Sequence, residues 1–198
     1  MPRIARYLTH PEVQIDSLID IRHWSLNAKG RARVAALAAS DALRGTRHVI
    51  SSDEVKATDT ARPLAQALGA DLWIRPALHE NDRSATGFLP PDEFERTADR
   101  FFARPDDSVR GWETARAAQA RVVGEVHRLL AQIPAADDAG DVLFVGHGGV
   151  GTLLYCALAG LPIDRRHDQL AGGGCVFAFD LPDGLPHGPW APMESLIA

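Results

Sequence analysis

Apolar residues recur along this chain in two rhythms, short β-compatible runs and stripes spaced by three or four, and the two alternate. Ile4–Thr9 predicts a first strand. Pro11 ends it, because proline has no N–H for a ladder and biases its predecessor, His10, to extended geometry. Asn27 predicts the cap of a helix over about 27–43, with Val34, Leu37, Ala38 and Ala42 at helical spacing and Gly45 beyond it. A strand over 48–51, a helix over 53–68 closed by Gly69, and a short strand over 72–74 follow. Residues 81–92 are rich in Gly, Pro, Ser and Asp and predict a loop, with a short helix over 93–103. The whole excursion over 81–111 is expected to cover a site. Ala115, Ala118, Val122, Val126, Leu129 and Ile133 draw one apolar stripe and predict the longest helix, over 112–133. A turn at 137–140, a buried-type strand at 142–145, a glycine-rich turn at 146–149, a helix at 150–159 and a last strand at 175–179 complete the pattern. The Pro-rich tail after Asp180 reads as irregular surface wrapping.

Strands alternating with helices predict an α/β fold: a three-layer αβα sandwich with a largely parallel central sheet and its ligand at the carboxyl ends of the strands. The 198 residues fit one domain, and 45% hydrophobic with 24% charged residues exclude a disordered or fibrous class. The formal charge is 21 − 26 = −5, with no long basic run, which argues against a nucleic-acid partner. No apolar stretch approaches the roughly 20 residues of a membrane span, and the first residues lack the apolar region of a secretory signal. Cys156 and Cys175 are too far apart for a CxxC pair and too few for a disulfide framework. Together these predict a cytoplasmic protein without a membrane partner. An acidic chain that handles an anion must gather cations and backbone N–H groups locally, which directs the search for a site.

Two of the eight histidines are placed alike, His10 just after the first strand and His147 within Gly146-His147-Gly148-Gly149 just after the strand at 142–145. Both are expected to face one crevice. The glycines let backbone approach a ligand, and the following helix offers unpaired N–H groups and a partial positive end to an anion such as phosphate. Gly146 to Gly151 also fits GxGxxG between a strand and a helix, the dinucleotide fingerprint, but no convincing second parallel strand follows, the nearest acidic residues come early, and too little chain remains for a nucleotide-binding half. A dinucleotide enzyme is therefore a minor reading, which NAD(P) binding would revive. No Walker A lysine motif, GxSxG elbow or HExxH helix occurs.

The order of these segments resembles the histidine phosphatase superfamily, the phosphoglycerate mutase-like group. Tyr7-Leu8-Thr9-His10-Pro11-Glu12 stands where that family has its Arg-His-Gly nucleophile motif. Trp24-Ser25-Leu26-Asn27 with Gly30-Arg31, Ser51-Ser52-Asp53 through Thr60-Ala61, Leu78-His79-Glu80, Gly111-Trp112-Glu113 and Val145 to Gly149 then match its further motifs in order, over about 4–154. The resemblance implies a phosphoglycerate mutase-like fold and a phosphatase acting on a small phosphomonoester, with no metal or organic cofactor. It implies that His10 attacks phosphorus, that His147 and the Gly148 and Gly149 amides stabilise the oxyanion, and that Glu80 protonates the leaving group from a raised pKa.

Three positions depart from the pattern. Thr9 replaces the arginine beside the nucleophile, Pro11 the glycine, and Lys56 the second arginine, so a hydroxyl and a point charge stand where two planar forks would grip phosphate. Arg22 and His23, then Arg83, are the candidates to restore a cation; Arg6 lies too far down its strand. Two alternatives follow: a degenerate member that binds a phospho-ligand without turnover, and a mutase, which the short 81–111 excursion disfavours. Lys56 beside Asp53, Glu54 and Asp59 also reads as an exposed charge pair, Ser51 and Ser52 as helix caps, and His48, His79, His127, His167 and His187 as surface or core residues. Trp24 and the Phe101-Phe102 pair read as packing.

Overall fold

The computed structural model describes residues 3–134, 139–182 and 184–197. Six strands form one sheet in the order β3-β2-β4-β1-β5-β6. β1 (Ile4–Thr9), β2 (Thr46–Ser51), β3 (Asp71–Ile74) and β4 (Asp141–Gly146) are mutually parallel; β5 (Cys175–Asp180) runs antiparallel to β1, and β6 (Ala191–Pro192) antiparallel to β5. β1 and β4 lie side by side at the centre, with Leu8 opposite Val145 and Thr9 opposite Gly146, so the residues after both strands emerge together at the carboxyl edge.

The alternating strand residues face two helical layers. Leu8, Val49, Leu143 and Val145 pack with Val34 and Leu37 of α1 (Ala28–Ala38) and Ala61 and Leu64 of α2 (Val55–Leu68). Ala5, Tyr7, Ile50 and Phe144 pack with Val122, Val126 and Leu129 of α4 (Ala115–Leu130) and Leu153 and Leu154 of α5 (Gly148–Leu158). Each of the Val, Leu, Ile and Phe side chains among them contributes about 1.5–3 kcal/mol on leaving water. α3 (Pro91–Ala103) adds Phe101 and Phe102 to the second layer. Among the described residues no helix is long and apolar enough to cross a membrane.

Boundaries differ from the sequence pattern where side chains compete for the backbone. α1 stops at Ala38 rather than near residue 43, because the Ser40 hydroxyl donates to Leu37 O at 2.8 Å and accepts from Ala42 N–H. α4 starts at Ala115, where Thr114 caps it by accepting from Ala117 N–H at 3.1 Å, and Trp112 precedes it, buried. α5 begins at Gly148, two residues before the expected start, which brings its first N–H groups beside His147. The tail is not surface wrapping: Trp190 and Met193 are buried, the Trp190 ring lies 4.7 Å from that of Phe177, and its Nε1–H donates to His167 O at 3.1 Å. The turn expected at 137–140 lies partly outside the described residues, which resume at Ala139.

Candidate active site

At the carboxyl edge the His10 and His147 rings lie 5.3 Å apart, centroid to centroid, in a T-shaped pair. Backbone bonds lock both in place. His10 N–H donates to Gly146 O at 2.9 Å, joining the residue after β1 to the end of β4, and His10 O accepts from Gly174 N–H at 3.0 Å. Gly173 has φ +66°, and a Cβ there would stand 2.4 Å from His10 O, so the chain passes under His10 only as glycine. Tyr7 fixes the other imidazole's backbone: its hydroxyl accepts from His147 N–H at 3.2 Å and donates to His147 O at 3.3 Å. A Cβ on Gly146 would fall 2.2 Å from that hydroxyl.

A hydrogen bond assigns the His10 tautomer. His10 Nδ1 lies 2.9 Å from Pro11 O, and a carbonyl only accepts, so the ring proton sits on Nδ1 and the lone pair on Nε2. Burial, then the Lys56 ammonium, lowers the His10 pKa from 6.5 to about 4, which keeps the ring neutral and nucleophilic. His147 is fully buried, and burial followed by the same ammonium holds it well below the ordinary value. Its Nε2 is 2.9 Å from Ser52 Oγ. That oxygen also accepts from Glu54 N–H, and His147 Nδ1 has no hydrogen-bond partner among the described residues. The pair thus presents a lone pair on His10 Nε2 and an unpartnered ring nitrogen on His147.

The sign of the pH dependence follows. A base whose folded pKa lies below its unfolded value keeps its stabilising contribution above pH 6.5 and loses it as pH falls toward 4. For any reaction in which neutral His10 is the attacker, the acid limb of kcat/KM is expected near pH 4 rather than 6.5; a limb at 6.5 in a pH–rate profile contradicts the buried, neutral imidazole.

The remaining expected site residues separate into those gathered here and those that are not. Lys56 is at the site but is not the exposed charge pair its neighbours suggest: it is 4% exposed, donates to Ile21 O at 2.7 Å, and forms a buried ion pair with Glu54, itself 6% exposed. Thr9 is not free for a ligand, since its hydroxyl donates to Gln169 Oε1 at 2.6 Å and accepts from Cys175 N–H at 2.9 Å. The Gly149 amide is likewise engaged, donating to Glu80 Oε2 at 3.0 Å, whereas Gly148 N–H meets no acceptor among the described residues. Glu80 lies on the N-terminus of α5. Burial alone raises its carboxyl, but Arg83, His147 and the Asn81 amide more than offset that, so its pKa is lowered, the reverse of the expected direction.

A cleft of about 510 Å³ has Glu54 and Glu80 at its wall together with Asp20, Arg22, Asp82 and Arg83; neither His10 nor His147 is among its lining residues. Arg22 faces it from the surface, paired with Asp20. His23 is exposed and is not part of the lining. Arg83, ranked behind both by the sequence, is the better placed cation: it acts on both Glu80 and His147, and its guanidinium rests 5.1 Å over the Phe94 ring and 5.6 Å over that of Trp112. The Gly111-Trp112-Glu113 segment serves the site indirectly. Glu113 pairs with Arg121, which donates to Ala77 O and His79 O and so holds the stretch that carries Glu80. Ser52, Glu54, Tyr7 and Gln169 were not singled out as ligand-facing from sequence; only a buried charge beside Ser51-Ser52 could have pointed to Glu54. Among the described residues no group of three or more His, Cys, Asp or Glu is arranged to hold a metal ion.

A family model described as "Histidine phosphatase superfamily (branch 1)" matches residues 15–184, a stretch that includes Lys56, Glu80 and His147 and begins just past His10. No curated protein matches the chain by sequence. Solved structures share the fold. A mycobacterial glucosyl-3-phosphoglycerate phosphatase superposes with a TM-score of 0.76 at 23% identity, over 96% of this chain and 99% of that one. The same enzyme with inorganic phosphate gives 0.75 at 22%, over 96% and 94%. A phosphoserine phosphatase from Entamoeba histolytica, a mutant bound to phosphoserine, gives 0.73 at 14%, over 93% of each chain.

Proposed function

The chain belongs to the histidine phosphatase superfamily, branch 1, and on that footing we propose that it hydrolyses small phosphomonoesters through a phosphohistidine formed on His10. One observation carries the reading: a neutral imidazole with its lone pair on Nε2 stands 5.3 Å, ring to ring, from a second imidazole whose Nδ1 has no protein partner among the described residues. His10 Nε2 attacks phosphorus and the ester oxygen leaves; water then displaces the imidazole, so one difficult displacement becomes two easier ones. His147 and the Gly148 amide stabilise the equatorial oxygens as charge builds there. No organic cofactor enters this scheme. Structural neighbours that are phosphatases, with phosphate or vanadate in some of them, agree with a phosphate-containing ligand in the crevice.

A second reading, capture of a phospho-ligand without turnover, is favoured by a specific observation: Lys56, the cation at the family's arginine position, is already neutralised by Glu54. Steady-state hydrolysis of p-nitrophenyl phosphate, with orthovanadate as inhibitor, distinguishes the two. Turnover with competitive inhibition is the expected result; vanadate binding without turnover favours the second reading, and neither binding nor turnover removes both.

A further inference from the structure

A side chain from the loop before β5 bridges the two strand ends that carry the histidines. One atom of the Gln169 amide meets Thr9, the residue before His10, and the other meets Gly148, the residue after His147. Thr9 Oγ1 accepts from Cys175 N–H at 2.9 Å, and its own proton goes to Gln169 Oε1 at 2.6 Å, a separation that fits O–H···O rather than N–H···O. That bond orients the amide, with Oε1 toward β1 and Nε2 toward α5. Nε2 packs so closely on Gly148 that a Cβ there would stand 2.2 Å from it. Behind the amide, Asp168 accepts from Gln169 N–H and from the Thr152 hydroxyl of α5, each at 2.8 Å, which ties the loop to the same helix. Gln169 is thus held from β1 and from α5, yet its Nε2 hydrogens meet no acceptor among the described residues. The Gly148 N–H beside it is open as well, and His147 Nδ1 is buried without a partner. Polar nitrogens left open together at one place point to an acceptor that the protein itself does not supply.

We propose that Gln169 is a phosphoryl-binding residue, whose Nε2–H donates to a phosphoryl oxygen in place of the arginine that Thr9 replaces, and that Thr9 is the residue that positions it. This rests on the phosphohistidine reading. An arginine at position 9 would bring a charge and a fork of donors on one side chain; here a hydroxyl and an amide in series bring a neutral donor from the same strand end. The hydroxyl is needed because a free glutamine turns about three side-chain bonds, and a donor aimed in advance binds without that ordering cost. The Lys56 ammonium is paired with Glu54, so the phosphoryl group meets the Gln169 and Gly148 amides and two imidazoles. Its oxygens are then held by aimed dipoles more than by net positive charge. No proton or electron pair moves at Gln169, which holds one oxygen while the N–P bond to His10 forms and the P–O bond to the ester oxygen breaks.

Gln169→Glu separates binding from mere bracing of the loop. A glutamate keeps one oxygen to accept from the Thr9 hydroxyl and turns the donor into a second, negative oxygen. Calorimetry with inorganic phosphate at neutral pH is expected to give a Kd raised about 10- to 100-fold, the scale of losing a hydrogen bond to a charged group. Thr9→Val, close in shape but without the hydroxyl, is expected to weaken phosphate about three- to tenfold, and Thr9→Ser to rescue most of that loss. Phosphate bound as tightly by Gln169→Glu as by the wild type, or by Thr9→Val as tightly as by Thr9→Ser, overturns the assignment. The wild type decides even if a variant does not fold: the side-chain amide proton resonances of Gln169 are expected to shift on titration with phosphate. Phosphate bound without that shift, or no phosphate bound at all, overturns the proposal. Phosphate affinity that depends on Gln169 in a protein that hydrolyses no phosphomonoester sinks the phosphatase reading and leaves Gln169 as the anion's ligand.

Discussion

Replacing His10 by alanine is expected to reduce kcat for phosphomonoester hydrolysis by about 10⁴- to 10⁶-fold, the scale of losing a nucleophile from a site that acts as a unit. The variant removes the atom whose lone pair the Pro11 carbonyl fixes on Nε2. His147→Ala removes a donor to the oxyanion and leaves the attack itself possible, so a smaller loss of about 10²- to 10³-fold is expected. The order of the two effects matters as much as their size. Activity in His10→Ala within tenfold of the wild type, measured on folded protein by steady-state kinetics, eliminates the nucleophile; His147→Ala as the more damaged variant exchanges the two roles.

The second large effect is on stability. Lys56→Ala is expected to destabilise the fold by about 3–5 kcal/mol, because it leaves the Glu54 carboxylate buried without its cation. In a chain of this size that corresponds to a fall in Tm of roughly 6–20 °C. Lys56→Met combined with Glu54→Leu, which removes both charges and keeps the volume, is expected to restore most of the loss. Urea denaturation with an unchanged m-value reads both. A Lys56→Ala cost below about 1 kcal/mol means that the pair is open to water and that Lys56 is an ordinary surface lysine.

The elements that place the site were legible in the sequence because their signals are local. Residues 4–9 are a short β-compatible run bounded by Pro11, and 142–145 an apolar run bounded by Gly146, and those boundaries alone put a histidine after each strand. Asn27 caps α1 as its position suggests, accepting from Gly30 N–H at 2.9 Å. What was not legible depends on neighbours distant in the chain. Nothing near Glu54 reveals that α2 buries it against the segment after β3; in sequence it belongs to a run of charges that reads as a solvated helix start. Gln169, which receives the Thr9 hydroxyl, and Tyr7, which clamps the His147 backbone, act across more than a hundred residues. The two-residue β6 has no periodicity to read, so the tail's buried Trp190 and Met193 escaped notice. Arg83 was ranked too low for a similar reason, since its place over Phe94 and Trp112 follows from how the 81–111 excursion packs.

The nucleophile is tested most directly by trapping it. Wild-type protein mixed with a phosphomonoester labelled in its phosphoryl group, quenched in alkali within the first turnover and digested, is expected to carry acid-labile, alkali-stable label on the peptide containing His10. The label should disappear on a chase with unlabelled substrate at the rate of turnover. Turnover with no covalent label at any time, or with label on a residue other than His10, contradicts the account.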